Sequence, residues 1–250
     1  MNKPIALITG ATSGIGLAIA KELANEYALI LCGRREERLV VLQKELAYTD
    51  VLTLSFDVRD QSTVKEKLGQ LPSAWSEVAV LVNNAGNAHG LAPIQSGNVE
   101  DWDAMIDINV KGLLYVSNTI IPGMTERKSG HIINIGSIAG KEVYPNGNVY
   151  CASKHAVDAI NNGMRMDLNP YGIRVTSINP GLVETEFSEV RFKGDKERAA
   201  NVYKGFDALQ AQDVAEVVSF VISRPKHVML SDIILLPTAQ ASSTMVKKEI

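Results

Sequence analysis

Apolar β-rich runs alternate along this chain with segments whose apolar residues recur at helical spacing. Ile5 to Ile8 is unbroken and strand-length, and behind it Ile15, Ala18, Ile19 and Leu23 share one helical face. Leu29 to Cys32 is again strand-like, and Leu39, Leu42 and Leu46 then form the face of a second helix. Val51 to Phe56 alternates as a third strand, and Val78 to Val82, Ile132 to Ile135, Ile173 to Ile178 and Ile233 to Leu236 supply four more. Longer helical intervals run from Val99 to Arg127, Val149 to Leu168 and Ala211 to Ile222. Strand–helix alternation from end to end predicts parallel strands joined by right-handed crossovers with helices on both faces. The expected fold is thus α/β, three-layered and doubly wound, with a seven-stranded parallel sheet. The rhythm breaks between Glu184 and Gly205, a charged stretch with three aromatics after a Pro-Gly turn. It predicts an insertion over the sheet edge, where a lid would sit. No repeat, low-complexity segment or linker divides the chain, so residues 1–240 are expected to form one domain and 241–250 a tail.

Composition narrows the function classes. A chain of 250 residues that is 46% hydrophobic and 21% charged can bury a sizeable core. Its net charge of -3 argues against a general polyanion-binding surface, and no nucleic-acid partner is expected. The two cysteines, Cys32 and Cys151, have no metal-ligand spacing; a disulfide framework is not expected, and a reducing cytoplasm fits. Met1-Asn2-Lys3-Pro4 runs straight into the first strand without a signal-peptide pattern. No apolar run approaches the ~20 residues of a membrane span.

The first strand ends in Thr9-Gly10-Ala11-Thr12-Ser13-Gly14-Ile15-Gly16. In an open parallel sheet, ligands bind beyond the carboxyl ends of the strands. Gly10 permits a tight turn there. Gly14 and Gly16 remove side chains where a pyrophosphate and the sheet must come close, and the following helix offers free N–H groups to phosphates. A purely structural turn is the competing reading. An NAD site would place an acid about 20 residues after the glycines. Here the end of the second strand reads Cys32-Gly33-Arg34-Arg35. Two guanidiniums suit the 2′-phosphate of NADP; the plainer reading is a solvated charge pair, disfavoured because arginines oppose the helix dipole at an N-terminus.

Tyr150 and Lys154 lie one helical turn apart, with Ser137 thirteen residues before the tyrosine. A tyrosine hydroxyl with a pKa of about 10 is a poor base at neutral pH, and an adjacent ammonium is expected to lower that value. Tyr150 could then exchange a proton with a substrate oxygen that Ser137 also hydrogen-bonds. A surface Tyr/Lys pair would be the uneventful alternative, were the serine and the glycine turn not present.

Together these motifs make the chain resemble the short-chain dehydrogenase/reductase family, over almost its whole length. Thr9 to Gly16 meets the family's glycine motif. Asn83-Asn84-Ala85-Gly86 meets its Asn-Asn-Ala-Gly, Ile108-Asn109-Val110 its catalytic asparagine, and Pro180-Gly181 followed by Thr185 its Pro-Gly turn. The resemblance implies a Rossmann-like fold and an NADP-dependent enzyme. Tyr150 would be acid/base and Ser137 would polarise the reacting oxygen. Lys154 would hold the nicotinamide ribose and lower the tyrosine pKa. Asn109 would kink its helix and position a water. It further implies Asp57-Val58 beside the adenine, and Val183 with Thr185 beside the nicotinamide amide. Within the family, Gly33 to Leu39, Val99 to Trp102, Tyr144-Pro145, Gly147 to Tyr150, Glu186 to Phe192 and Pro237 to Ser242 resemble the NADP-dependent serine and 3-hydroxy acid dehydrogenases. Pro145-Asn146-Gly147 and Asn161 to Met164 are less typical of that subgroup.

The expected function is therefore hydride transfer between NADP and a small-molecule 3-hydroxy acid or serine-like 3-hydroxy amino acid. A 3-oxoacyl or general carbonyl reductase, and a non-catalytic dinucleotide-binding regulator, are the other readings. Arg191, between Val190 and Phe192 in the expected lid, is a candidate for a substrate carboxylate; alternatively it pairs with Glu189 or solvent. His89, His155, Cys151, Trp75 and Trp102 read as structural. The resemblance implies a homotetramer built partly from the two long helices.

Overall fold

A computed structural model describes residues 3–249; the first two residues of the N-terminal reading, Met1 and Asn2, and the last of the tail, Ile250, lie outside the described residues. The first half of the chain runs β1 (Ile5–Thr9), α1 (Gly14–Leu23), β2 (Ala28–Gly33), α2 (Glu36–Glu45), β3 (Val51–Ser55), α3 (Gln61–Gly69), β4 (Val78–Asn83), α4 (Val99–Ile106) and α5 (Leu113–Arg127). The second half runs β5 (His131–Ile135), α6 (Asn148–Leu168), β6 (Arg174–Pro180), β7 (Val183–Glu184), α7 (Phe187–Arg191), α8 (Lys196–Tyr203), β8 (Leu209–Gln210), α9 (Ala211–Ile222) and β9 (Asp232–Leu235). Seven strands form one parallel sheet in the order β3-β2-β1-β4-β5-β6-β9. The expected α/β, doubly wound, seven-stranded fold is what is found, with strand ends within two residues of those read from the apolar runs.

The period-two geometry of a strand explains the two cores. Along β1, Ala6 and Ile8 face a cluster with Ile19, Leu23, Leu39, Leu42, Val214 and Val218 of α1, α2 and α9. Ile5 and Leu7 face the opposite cluster, with Val64, Val116, Ile120, Met124 and Leu168 of α3, α5 and α6. Every β1 residue is buried, which is why the strand reads as continuously apolar rather than alternating. Replacing such a residue, Ile8→Ala for example, costs about 2–5 kcal/mol in transfer and cavity terms.

Three departures have local causes. Val99 to Arg127 is not one regular helix: Asp107–Gly112 is π-helical between α4 and α5. That widened turn is where the Asn109 side chain leaves the helix to bind the Asn87 backbone. Helix α3 carries only Val64 and Leu68 as buried residues, too sparse a stripe to show periodicity; its start is fixed by Asp60, which accepts from the Ser62 and Thr63 amides. Beyond β9 the residues expected as a tail fold back. Gln240 and Val246 form an antiparallel bridge, the Lys247 amide donates to Ala239 O at 2.8 Å, and the Glu249 amide donates to Gly205 O at 2.7 Å. Among the described residues, no helix is long and apolar enough to cross a membrane.

Candidate active site

The sheet order reverses at β1, with β2 on one side and β4 on the other, so a crevice opens at its carboxyl end. A cavity of about 460 Å³ lies there, reaching from the glycine turn past the α6 tyrosine to the β7–α7 region. Gly10, Thr12, Ser13, Gly14, Ile15, Gly33, Arg34, Arg35, Asp57, Val58, Asn84, Ala85, Gly86, Ser137, Tyr150, Lys154, Pro180, Gly181, Val183, Thr185 and Arg191 all line it, so the structure brings most of the sequence-selected residues together. Gly16 and Asn109 are not in its wall. Gly16 packs behind the turn, where a Cβ would collide with Gly10 O and the Asn84 amide nitrogen.

The turn is held from below. The Thr9 hydroxyl accepts from the Asn84 and Ala85 amides at 3.0 Å each, and Asn84 Nδ2 donates to Thr9 O at 2.9 Å. Gly10 has φ +68°, and any Cβ there would meet Asn84 Nδ2 at 2.8 Å; both facts demand glycine. At the start of α1, Ser13 makes no side-chain cap to the helix, so the first N–H groups of a ten-residue helix remain directed at the cavity. The Ser13 hydroxyl instead accepts from Arg35 Nη2 at 2.6 Å, and Thr12 Oγ1 accepts from Arg35 Nε and Nη2 at 3.2 and 3.0 Å. The second arginine after β2 is thereby fixed against the glycine turn, where a diphosphate and a 2′-phosphate would lie on one ribose. Arg34 is more exposed and pairs loosely with Asp57 at 3.7 Å. Partial burial raises the Asp57 pKa, but the Arg59 fork at 2.7 Å outweighs it and holds the carboxyl below its usual range. Uncapped helix amides, a glycine cradle and a fixed guanidinium fit a phosphorylated dinucleotide.

At the other end stand Ser137, Tyr150 and Lys154. Ser137 lies two residues beyond β5, and its hydroxyl accepts from the Ala139 amide at 3.0 Å, capping a short turn. Burial pushes the Tyr150 hydroxyl well above its usual pKa; the nearby Ser137 hydroxyl and the charge of Arg191 oppose this without cancelling it. Burial also lowers Lys154 to about 8. Lys154 Nζ donates to Ile135 O at 2.9 Å. The Tyr150–Lys154 spacing predicts a lowered tyrosine pKa; the protein groups instead raise it, because desolvation exceeds every opposing charge. Asn109 is 2% exposed and lies behind the cavity wall, against Gly86. Its Nδ2 donates to Asn87 O and Ser153 Oγ, and its Oδ1 accepts from the Asn87 amide. It therefore ties the loop after Asn-Asn-Ala-Gly to the helix that carries Tyr150.

Arg191, on α7, reaches the tyrosine. Its guanidinium lies 5.5 Å from the Tyr150 ring centroid and 5.4 Å from that of Tyr144. Nη2 donates to the Tyr144 hydroxyl at 2.9 Å and Nε to Gly90 O at 3.3 Å. It pairs neither with Glu189 nor with solvent alone. Phe187 stacks obliquely on Tyr150 at 5.8 Å. Tyr144, Phe187, Gln240 and Ser243 line the cavity; the first three stood out in the sequence only as parts of longer motifs, and Ser243 not at all. Gly147 was the local signal: a Cβ there would strike the Tyr144 ring, so the glycine marks the ring's seat. His155 bonds the Cys151 carbonyl of its own helix, and Cys32 and Cys151 are buried free thiols.

A model of the short chain dehydrogenase family matches residues 4–196. The NADP-dependent 3-hydroxy acid dehydrogenase YdfG of Salmonella typhi is 47% identical over 239 residues, covering 95% of this chain and 96% of its own. The sulfoacetaldehyde reductase 2 of Chromohalobacter salexigens is 44% identical over 242 residues, covering 96% of each. The closed form of a serine dehydrogenase complexed with NADP+ superposes with a TM-score of 0.94 at 43% identity, over 98% of this chain and 100% of that one. The glycine turn, the Ser-Tyr-Lys set and these likenesses agree, and the chain belongs to the short-chain dehydrogenase family.

Proposed function

We propose that this chain is an NADP-dependent oxidoreductase that interconverts a 3-hydroxy acid, or a serine-like 3-hydroxy amino acid, with its 3-oxo product. The observation that carries the substrate class is the Arg191 guanidinium beside the Tyr150 ring, seated by the Tyr144 hydroxyl. A cation that close to the proton-transfer group suits a substrate whose anionic end is two or three bonds from its reacting oxygen. The names of the relatives support the same reading, one with a carboxylate and one with a sulfonate at that end. NADP supplies or accepts the hydride when bound.

Each protein group then has a task. Tyr150 Oη exchanges the proton of the substrate hydroxyl, and Ser137 Oγ hydrogen-bonds the same oxygen. Lys154 Nζ holds the nicotinamide ribose hydroxyls. Asn109 keeps the Asn87 loop and α6 in register. Gly10, Thr12, Ser13, Gly14, Ile15 and Gly16 form the diphosphate cradle, and Arg34 and Arg35, after Gly33, take the 2′-phosphate. Asp57 and Val58 would hold the adenine, and Asn84, Ala85 and Gly86 the sugar next to it. Pro180, Gly181, Val183 and Thr185 would hold the nicotinamide. The segment from Glu184 to Gly205 acts as the lid that brings Arg191 into place.

The test is absorbance of NADPH across small 3-hydroxy acids, serine, simple alcohols and acyl thioesters, in wild type and Arg191→Met. We expect turnover on the acids, and a KM for them at least tenfold higher in the variant with little change for neutral alcohols. Parallel losses on acids and alcohols would make Arg191 a packing residue. Preference for thioesters or neutral carbonyls would favour the general reductase.

A further inference from the structure

Glu186 immediately precedes α7, yet its carboxylate crosses to the adenosine end of the cavity. Arg35 Nη1 donates to its Oε2 at 3.0 Å. Arg38 Nη1, one turn along α2, donates to its Oε1 at 2.8 Å and to Oε2 at 3.1 Å. Partial burial would raise the Glu186 pKa, but these two arginines hold it below the usual carboxylate range. The same Arg35 is bound to Thr12 and Ser13 of the glycine turn. One guanidinium therefore joins the phosphate cradle to the lid, through an acidic residue that has no part in the reaction.

We propose that Glu186 is a specificity-determining residue that sets the affinity for the 2′-phosphate and couples it to the lid. The inference rests on the reading of Arg35 as a 2′-phosphate ligand. A phosphomonoester carries about -1.5 to -2 charges at neutral pH. Placed on Arg35, it lies beside the Glu186 carboxylate and competes for the same donors. It draws Arg35 away and leaves Arg38 alone to hold the lid. A cofactor with a plain ribose hydroxyl makes no such demand. Glu186 thus restrains NADP binding while leaving NAD binding alone, and it gives the lid a means of sensing which adenosine is present.

Calorimetric titration of NADP, NAD, adenosine 2′,5′-bisphosphate and AMP into wild type, Glu186→Gln and Arg35→Gln tests this. The two adenosine fragments carry no nicotinamide, so they read the adenosine end by itself. Glu186→Gln should bind NADP and the bisphosphate about three- to tenfold more tightly and change NAD and AMP less than twofold. At 1.4 kcal/mol per tenfold this is about 0.7–1.4 kcal/mol, the size of one or two exposed ion pairs. The advantage should shrink in high salt. In wild type, the bisphosphate but not AMP should speed hydrogen exchange at the α7 amides. Weaker binding of NADP to Glu186→Gln, or equal shifts for all four ligands, would overturn the proposal, and unchanged α7 exchange would overturn the coupling. If Arg35→Gln loses NADP selectively while Glu186→Gln is silent, only the Glu186 role falls. If Arg35→Gln does not discriminate the two cofactors, the 2′-phosphate reading falls with it.

Discussion

At the scale of single residues, the site works by desolvation. Tyr150 is closed in by Tyr144, Phe187 and Cys151, and its hydroxyl is held in the neutral form far above neutral pH. A neutral phenol is ready to donate a proton to a carbonyl, so reduction should fall only in strong alkali, whereas oxidation needs the phenolate and should rise with pH across the same range. Tyr150→Phe removes the proton and keeps the ring. Turnover should fall by about 10²–10⁴-fold, the usual contribution of a general acid or base, while NADP still binds in a fluorescence titration. A variant that keeps near wild-type kcat would dismiss Tyr150 as the proton donor. Lys154 gives a separate prediction. Its pKa falls from 10.5 in the unfolded chain to about 8 when folded. Between those values the unfolded chain binds more protons, so this group makes the fold more stable as pH rises and adds nothing further below 8. Relative to Lys154→Met, the wild type should therefore gain stability from pH 8 to pH 10 in denaturant titrations. A constant difference between the two proteins would mean that the lysine is not desolvated.

At the scale of elements, what could be read from sequence depended on how much of an element is buried. β1 and β2 are buried at every position, and their apolar runs announced them. The α1 and α9 stripes showed at once for the same reason. Helix α3 did not, since two buried side chains make no period, although Asp60 was there to mark its start. The π-helical turn could not be read from periodicity, because it is set by a side-chain contact with a loop twenty-two residues away. The glycine turn, Ser137 and the Tyr150–Lys154 spacing were legible because each motif needs a residue type that nothing else satisfies. The segment from Glu184 to Gly205 stood out only as a break in rhythm. Arg191 stood out within it, but its partners were hidden, since Arg191 meets Tyr144 and Glu186 meets Arg35 and Arg38 across large gaps in the chain, with no local pattern to link them. The raised pKa of Tyr150 was missed for a related cause: a spacing of four residues reports a neighbouring charge but not the burial that outweighs it.

At the scale of the whole molecule, large apolar side chains stay exposed on the long helices and on the edge strand. Leu114 on α5 is 41% exposed and Met166 on α6 is 70% exposed, while Ile234 of the edge strand β9 and Phe220 of α9 are about half exposed. Among the described residues β9 pairs on one side only, with β6, so it ends the sheet with an open edge and apolar side chains. Large apolar groups on two separate faces suit two different self-complementary contacts, and two kinds of two-fold contact build a tetramer. The likeness to the family implies a homotetramer, and we propose that α5 and α6 form one contact and α9 with β9 the other. Light scattering should give about four times the 27.1 kDa chain mass. Met166→Glu would place a charge in the α5–α6 contact, and since Met166 is exposed within the subunit it should leave the fold intact. It should yield dimers, with circular dichroism unchanged. Phe220→Glu should yield dimers of the other kind, and the double variant monomers. A wild type that runs as a monomer, or a Met166→Glu tetramer, would show that these helices face solvent in the working enzyme.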